Sequence, residues 1–312
     1  MGEYVQAPEV QAEFDLVVIG GGPTGLLSAV LAEQLGASVC VIGRADALNA
    51  RTQQYLEVVG ILDELLPKGI KCNIATDLGR TVRGKYAIAA DGARSTVRSA
   101  LNISFTGTKP EMVWMVLDTF IDTDFPVCSE IITFQLNGQS RVSWIPRERG
   151  MARFYVLVEG ETTQERAESS IREHLAPYRV DFVKTEWFST FDVRERIAST
   201  FVSNQGTGRI ILAGDAAHVH SVNGGQGLNT GIADAFALSW RVTTAIKCKQ
   251  LAPGAALDLI RSYDTERRQV AQGVIDVAAR LVRDTVHTAK QYVATIEKNA
   301  GYITGKAGVS FA

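Results

Sequence analysis

Glycine and aspartate residues stand at three places in this chain with a spacing that could bind a nucleotide. Gly20, Gly22 and Gly25 satisfy the pattern G-x-G-x-x-G. Glycines at this spacing permit a tight turn, a close approach of the backbone to a pyrophosphate, and close packing of a helix on a strand. Two further steps, Asp91-Gly92 and Gly214-Asp215, each follow a short apolar run. For Asp91 this predicts a place at the carboxyl end of a strand, where open α/β sheets bind ligands.

The elements around the first glycines predict a β-α-β unit. Residues 14–19 form an apolar run rich in β-branched residues, which predicts a buried strand. Residues 26–35 predict a helix that Gly36 ends, and residues 38–42 predict a second strand. A helix that begins at the glycine turn offers free N–H groups and a positive dipole end to phosphates. This context favours a dinucleotide turn over the alternative, a chance glycine-rich turn.

The rest of the α/β part is predicted from three further segments. Residues 50–66 have helical spacing, and residues 86–90 and 209–213 each predict a buried strand. A long helix is expected to run to about residue 247, with further helices over 255–300. A dinucleotide fold usually places an acid after its second strand, but this chain has Gly43 and Arg44 there. Either Asp46, the first acid, folds back to the ribose, or that contact is missing.

The sequence pattern changes between residues 103 and 191. Several β-rich runs and an Asn137-Gly138 hairpin signal there predict an antiparallel sheet. We therefore expect an α/β fold with a Rossmann-like dinucleotide-binding domain, an inserted and mostly antiparallel sheet, and C-terminal helices. The predicted domains are 1–102 with 192–250, then 103–191, and a helical region over 251–312. Trp144 and Tyr155 in the inserted sheet could line a substrate cavity, or they could be core residues or cross-strand pairs.

Composition excludes several other classes of protein. The net charge of −2 does not favour nucleic acid or an anionic membrane as partner, and no apolar run approaches a membrane span. The cysteines form no C-x-x-C, so we expect a reduced, cytoplasmic setting. His218 and His220 are the only close histidine pair. Without a third ligand nearby they predict loop hydrogen bonds rather than a metal site.

The three motifs in this order resemble the flavoprotein aromatic hydroxylases, which include p-hydroxybenzoate hydroxylase and phenol 2-monooxygenase. The phenol 2-monooxygenase-like branch looks most similar. The segments that carry this likeness are residues 44–52 (RADALNART), 145–148 (IPRE) and 153–155 (RFY). The resemblance covers roughly residues 14–300.

The resemblance implies an FAD site made from three parts of the chain. Gly20, Gly22 and Gly25 would hold the pyrophosphate, Asp91 would lie near the pyrophosphate and nicotinamide path, and Asp215 would take the ribityl hydroxyls. A helix start near residues 225–229 would face the flavin ring, where its dipole stabilises the anionic reduced ring. The implied cofactor residues are Gly20, Gly22, Pro23, Thr24, Gly25, Arg44, Arg51, Asp91, Gly92, Gly214, Asp215, Gly225, Gly227, Leu228 and Asn229. The implied substrate residues are Asp46, Trp144 and Tyr155.

Structural alternatives remain for several of these residues. Asp215 could cap a helix or turn, and Asp91 could serve a turn. Arg44 and Asp46 could lie in a solvated surface loop.

The implied activity is hydroxylation of a phenol with NADPH and O₂, with the oxygen chemistry carried by FAD. The expected partners are a small aromatic substrate and O₂, with a homodimer as one possible assembly. Two alternatives stay open. The first is a flavoprotein of the same fold that performs dehydrogenation or isomerisation, and the second is a non-catalytic homologue that binds a ligand.

The chain departs from the family pattern in several places. The segment between Leu66 and Tyr86 is much shorter than in the family, and Val222 stands where the family has proline. Phenol 2-monooxygenases also continue into a thioredoxin-like domain, so this sequence could be a shortened gene product or a partial chain. An open site admits water, so we expect loose FAD binding and NADPH oxidation that is uncoupled from hydroxylation.

Overall fold

A computed structural model of the chain describes residues 10–43, 81–109, 113–126, 129–137, 139–158, 160–221, 225–285 and 298. The helix predicted over 50–66 lies outside these residues, as do Arg44, Asp46 and Arg51. In chain order the elements are β1 (Val10–Ile19), α1 (Pro23–Gln34), β2 (Val39–Ile42), β3 (Thr81–Ala89), α2 (Thr96–Ala100), β4 (Phe105–Thr108), β5 (Val113–Thr123), β6 (Ile132–Leu136), β7 (Gln139–Pro146), β8 (Ala152–Val158), α3 (Gln164–Leu175), β9 (Val180–Asp192), β10 (Glu195–Ala198), β11 (Ile210–Leu212), β12 (His218–Val219), α4 (Gln226–Lys247) and α5 (Ala255–Thr285).

The first sheet is parallel, with the strand order β11-β3-β1-β2. Leu16 pairs with Val39 and Ile19 with Ile42, so β1, α1 and β2 form the predicted β-α-β unit. The strand β1 begins four residues before the predicted Phe14, and β3 begins at Thr81 rather than Tyr86. The reason is that each extends its pairing beyond its apolar centre, with Glu13 opposite Arg83 and Phe14 opposite Gly84.

The core of this sheet takes side chains from the two long helices α4 and α5 as well as from the strands. Leu16, Ile88 and Ile211 are fully buried, together with Leu238 of α4 and Tyr263 of α5. The Tyr263 hydroxyl donates a hydrogen bond to the Leu212 carbonyl, 3.0 Å away. The predicted boundary at residue 251 stays a proposal, but α5 shares a core with the first sheet.

The second sheet is antiparallel, with the strand order β6-β7-β8-β5-β9. This is the inserted sheet that the sequence predicts. The helix α3 buries Ala167, Ile171 and Leu175 against one face, beside Trp144 and Phe154. On the other face Tyr155 packs with a smaller cluster of three buried residues, Trp114, Leu157 and Val193. The face that a side chain occupies therefore alternates along each strand, as the pleat requires.

A third, small antiparallel sheet has the order β12-β10-β4 and was not predicted. The chain passes through β4 on its way into β5, and through β10 on leaving β9. These strands contain only two to four residues, which is too short for an alternating pattern to stand out in the sequence. Through these pairings, the segments that lead into and out of the second sheet, β4 and β10, are hydrogen-bonded to each other, and β10 also pairs with β12, which follows Asp215.

Candidate functional site

The glycine turn between β1 and α1 has two glycines that are needed for packing and one that faces open space. A Cβ atom on Gly20 would lie 2.1 Å from the Ala90 carbonyl oxygen, and one on Gly25 would lie 2.1 Å from the Gly20 carbonyl oxygen. A Cβ atom on Gly22 would meet nothing within 4 Å. Gly22 is also the N-cap of α1 and supplies no side-chain cap, and the first turn of α1 holds no acid. This helix start is therefore open to an anion and has the dipole that favours one.

Asp91 lies beside this turn, but its carboxylate is occupied by α2. The Asp91 backbone nitrogen would be 2.9 Å from a Cβ on Gly20, so the two loops are in contact. One carboxylate oxygen accepts from the Ser95 hydroxyl at 2.5 Å, and the other from the Thr96 and Val97 N–H groups at 2.8 and 3.1 Å. The Asp91 side chain therefore stabilises the local turn, which is the structural alternative that the sequence left open for this residue. A cofactor contact at this step would fall to the backbone, including Gly92 at φ +84°.

Asp215 stands at the carboxyl end of β11, and its side chain is exposed. Its carboxylate has no hydrogen-bond partner among the described residues. Desolvation by the surrounding protein raises the pKa of the Asp215 carboxyl, the charge of His218 opposes this, and the charge of Asp234 adds to it. Because it is exposed and accepts no hydrogen bond from the described residues, this carboxylate is available to a ligand.

Thr24 brings the glycine turn, the Gly214 turn and α4 together. A Cβ atom on Gly214 would lie 2.7 Å from the Thr24 hydroxyl oxygen, and one on Gly231 would lie 2.3 Å from it. Gly214 also has φ +59°, which a glycine adopts without strain. The predicted residues Thr24 and Gly214 are thus in direct contact, although they are distant in sequence.

The start of α4 contributes the last part of the site. Gly225 is the N-cap at φ +64°, no side chain caps this end, and the first turn holds no acid. The Asn229 side chain donates back to the Gly225 carbonyl oxygen at 3.1 Å, so it fixes the turn itself. Gly227 would place a Cβ atom 3.9 Å from His220, and Leu228 is half-buried beside it. This helix start, like that of α1, leaves backbone N–H groups for a ligand.

Two residues that sequence analysis missed hold these loops in place. Arg98 is buried, and its guanidinium donates to the carbonyl oxygens of Ala216 at 2.7 Å and Ala93 at 2.9 Å while it stacks on Phe105. Burial lowers the pKa of Arg98, although the nearby Asp91 charge opposes this effect. Asp234 is fully buried and accepts hydrogen bonds from Gly214, His218 and Arg267. No local sequence pattern indicated these contacts, because Ala216 lies 118 positions from Arg98 and the partners of Asp234 lie 16 to 33 positions from it.

The two aromatic residues predicted for the substrate do not converge on this site. Trp144 is buried against Phe154 in the core under α3, where the sheet and the helix cover it. This is the core alternative that the sequence left open. Tyr155 is half-buried on the opposite face, beside Trp114 and Phe191. His218 and His220 make the predicted hydrogen bonds, to Asp234 at 2.7 Å and to the Ser221 carbonyl at 2.9 Å, although His218 lies in β12.

Among the described residues no group of histidine, cysteine and acidic side chains could hold a metal ion. Within the same residues no helix combines the length and the apolar character that crossing a membrane requires.

Comparison with known proteins gives relatives of one kind. A phenol 2-monooxygenase (fsqG) of Aspergillus fumigatus is 35% identical over 206 residues, which cover 63% of this chain and 34% of the relative. A 3-hydroxybenzoate 4-monooxygenase of Comamonas testosteroni is 33% identical over 215 residues, which cover 63% of this chain and 33% of the relative. The chain thus spans about a third of the length of these relatives.

Solved structures agree on the fold. An anhydrotetracycline hydroxylase, OxyS from Streptomyces rimosus, superposes with a TM-score of 0.65 at 22% identity and covers 94% of this chain and 76% of its own. The flavin-dependent monooxygenase PieE, solved in complex with FAD and substrate, gives 0.66 at 18% identity with 96% and 73% covered. At these identities the likeness establishes the fold alone.

The family assignment comes from a match along most of the sequence. The two matched stretches, residues 13–79 and 73–278, meet near the segment that is shorter than in the resembled enzymes. They include the glycine turn, Asp91, the Gly214-Asp215 turn and the start of α4. The chain therefore belongs to the FAD-binding domain family.

Proposed function

We propose that this chain binds FAD and acts as an NADPH-dependent monooxygenase that hydroxylates a small phenolic substrate with O₂. The observation that carries the proposal is the contact of Thr24 with both Gly214 and Gly231 of α4. It brings two helices with uncapped starts, α1 and α4, together with the turn that carries the accessible Asp215 carboxylate. The monooxygenase relatives supply the reaction class. When bound, FAD would supply the redox and oxygen chemistry, and the protein would supply binding, orientation and exclusion of water.

The described residues fit this cofactor part by part. The open space at Gly22 and the uncapped start of α1 suit a pyrophosphate, because backbone N–H groups and the helix dipole both favour an anion. The accessible Asp215 carboxylate suits hydroxyl groups of the ribityl chain. The uncapped start of α4 at Gly225 suits the electron-rich edge of a flavin ring.

Substrate binding is proposed more coarsely than cofactor binding. A phenol and 3-hydroxybenzoate are the natural probes, since these compounds appear in the names of the two relatives. Tyr155, half-buried on the face of the second sheet opposite α3, stays a proposed substrate residue, whereas Trp144 lies in the core under α3. Arg44, Arg51 and Asp46 also stay proposals, because they lie outside the described residues.

We also propose that the protein is cytoplasmic and that it forms a homodimer. The cytoplasm is proposed because the four cysteines are far apart in the sequence and form no C-x-x-C. A homodimer is proposed from the resemblance alone, and sedimentation of the purified chain would test it.

The test follows FAD uptake and the fate of electrons in the same preparation. FAD is titrated into the protein while flavin fluorescence is recorded. NADPH consumed, hydrogen peroxide released and hydroxylated product are then measured with phenol and with 3-hydroxybenzoate. We expect FAD to bind and to be lost on dialysis, with most NADPH oxidation yielding hydrogen peroxide. The sequence between Leu66 and Tyr86 is shorter than in the resembled family, and a flavin that is less enclosed would be reached by water.

Three other results would change the proposal. Near-equal product and NADPH, with FAD retained, would show that the site closes in another way. Oxidised product that forms without incorporation of oxygen from O₂ would favour dehydrogenation. No FAD uptake would favour the non-catalytic homologue.

A further inference from the structure

We propose that Asp234 is a positioning residue for the cofactor, which holds the Gly214-Asp215 turn in its binding conformation through the Gly214 N–H group. Arg267, on α5, is its supporting partner. This inference rests on the proposed function, since it assigns Asp234 a role in placing Asp215 toward FAD.

Three donors from different parts of the chain converge on the Asp234 carboxylate. The Gly214 N–H and His218 Nε2 lie 2.9 and 2.7 Å from Oδ2, and Arg267 Nε lies 2.8 Å from Oδ1. Asp234 is 0% exposed, and a buried carboxylate is tolerated only when donors and an opposite charge surround it. Burial alone would raise the pKa of Asp234, but the charges and hydrogen bonds of His218 and Arg267 prevail and hold it below its ordinary value.

The hydrogen bond to Gly214 fixes the residue immediately before Asp215. On the other side of the turn, the Gly214 carbonyl accepts from the Ala217 N–H at 2.8 Å. Thr24 of α1 lies beside this turn, since its hydroxyl oxygen would be 2.7 Å from a Cβ atom on Gly214. The exposed Asp215 side chain receives no hydrogen bond from the described residues. The backbone of the turn therefore fixes the direction in which this side chain leaves the main chain. Asp234 is the only side chain among the described residues that binds the Gly214 N–H.

Arg267 of α5 supplies the positive charge that balances the buried Asp234 carboxylate. Arg267 is buried and neutralises Asp234, and its Nη2 also lies 3.4 Å from the Thr230 carbonyl oxygen on α4. Loss of either partner would leave an uncompensated buried charge, which is strongly destabilising. Through Arg267, the helix α5 therefore fixes the Asp234 carboxylate, and that carboxylate fixes the Gly214-Asp215 turn.

The experiment uses Asp234→Asn, with Asp258→Asn as its matched control. Asp258 lies on α5 with its side chain 76% exposed, so the same chemical change is made away from the site. Amide hydrogen exchange of residues 213–217 is measured in the protein without FAD, and the Kd for FAD is measured by fluorescence. Both variants are also made in an Asp215→Ala background. Arg267→Lys, which keeps the charge but loses the planar guanidinium, is the milder second variant.

We expect Asp234→Asn to speed exchange most at residues 213–217, beyond the general rise that the uncompensated Arg267 causes, and to raise the Kd for FAD about tenfold. In the Asp215→Ala background the further rise should be less than threefold, because the group that the turn positions is already gone. Arg267→Lys should change both measurements in the same direction but by less. Asp258→Asn should change neither.

Two results would overturn the inference. Equal losses of affinity in both backgrounds would show that Asp234 does not act through Asp215. Faster exchange throughout the chain, with an unchanged Kd, would show that Asp234 only stabilises the fold. If the wild-type chain took up no FAD, the proposed function would fall, while exchange at residues 213–217 would still decide whether Asp234 holds the turn.

Discussion

Asp91 and Asp215 come after neighbouring parallel strands, β3 and β11, yet their carboxylates have different environments. Asp91 binds the start of α2, where three residues donate to it. Asp215 is exposed at a turn that other residues hold. The difference arises from the residues just after each aspartate. A serine and a threonine stand four and five residues after Asp91, and they supply donors that the sequence after Asp215 lacks.

The residue-scale prediction concerns Asp215→Ala. A carboxylate that accepts hydrogen bonds from hydroxyl groups contributes about 1.5–3 kcal/mol, so its loss should weaken FAD binding roughly tenfold to a hundredfold. The measurement is a fluorescence titration with FAD at neutral pH. Asp258→Ala serves as the control for removing an exposed carboxylate elsewhere. An unchanged Kd in Asp215→Ala would show that the carboxylate faces away from the cofactor.

At this scale the sequence identified residues whose spacing is local, and it missed those whose partners are remote. The G-x-G-x-x-G turn and the Gly214-Asp215 step were recognisable because their neighbours in sequence form the motif. Arg98 reaches Ala216, 118 positions away, and Arg267 reaches Asp234 from another helix. Only folding brings these charges together, so no local pattern indicated them.

At the scale of elements, α1, α4 and the Gly214 turn meet at one point because glycine leaves room for Thr24. Gly231 is buried within α4, and a Cβ atom there would lie 2.3 Å from the Thr24 hydroxyl oxygen. Without that oxygen the nearest atoms would be the Gly214 Cα and the Thr24 Cβ, each at 3.7 Å, which is ordinary contact. The clash is therefore specific to one side chain.

This geometry predicts a compensating pair of substitutions. Gly231→Ala alone should destabilise the protein by about 1–3 kcal/mol, because it overpacks the helix contact. Combining it with Thr24→Ala should recover most of that loss, since alanine is also favoured over glycine in a helix by about 1 kcal/mol. Urea unfolding of the four proteins, without FAD, measures both effects. Simple addition of the two single changes would contradict the packing of Thr24 on Gly231.

The predicted elements were most accurate where a long apolar or alternating run determined them. Within the inserted region the sequence also predicts a helix over Thr163 to Leu175, and the structure has α3 at Gln164–Leu175 with Thr163 as its N-cap, accepting a hydrogen bond from the Arg166 N–H. The small sheet of β4, β10 and β12 was missed because each strand gains its partners from distant segments. In strands this short, too few residues alternate for the sequence to distinguish a strand from a loop.

At the scale of the whole molecule, Asp15 connects β1 of the first sheet to β3, to Ser38 before β2 and to the end of α4. Its carboxylate binds Lys85 of β3 at 2.8 Å and Lys247 at the end of α4 at 2.6 Å. It also accepts from the Ser38 N–H at 3.1 Å, and the Ser38 hydroxyl accepts from the Asp15 N–H at 2.9 Å. The hydrogen bonds from Lys247, Lys85 and Ser38 hold the pKa of Asp15 far below its ordinary value, against the opposing effect of burial.

This lowered pKa predicts how the stability of the fold depends on pH. A carboxyl group whose pKa is lower in the folded than in the unfolded chain stabilises the fold above its unfolded pKa of about 3.9, and the effect fades as pH falls toward the folded pKa. Asp15→Asn should therefore cost about 1–2 kcal/mol at pH 7, a modest value because both lysines are substantially exposed. The difference from wild type should stay constant from pH 7 to about pH 5 and shrink below about pH 4. Urea unfolding across this range measures it, with Asp258→Asn as the control, and a difference that grew on acidification would show that Asp15 is not held as a bound anion.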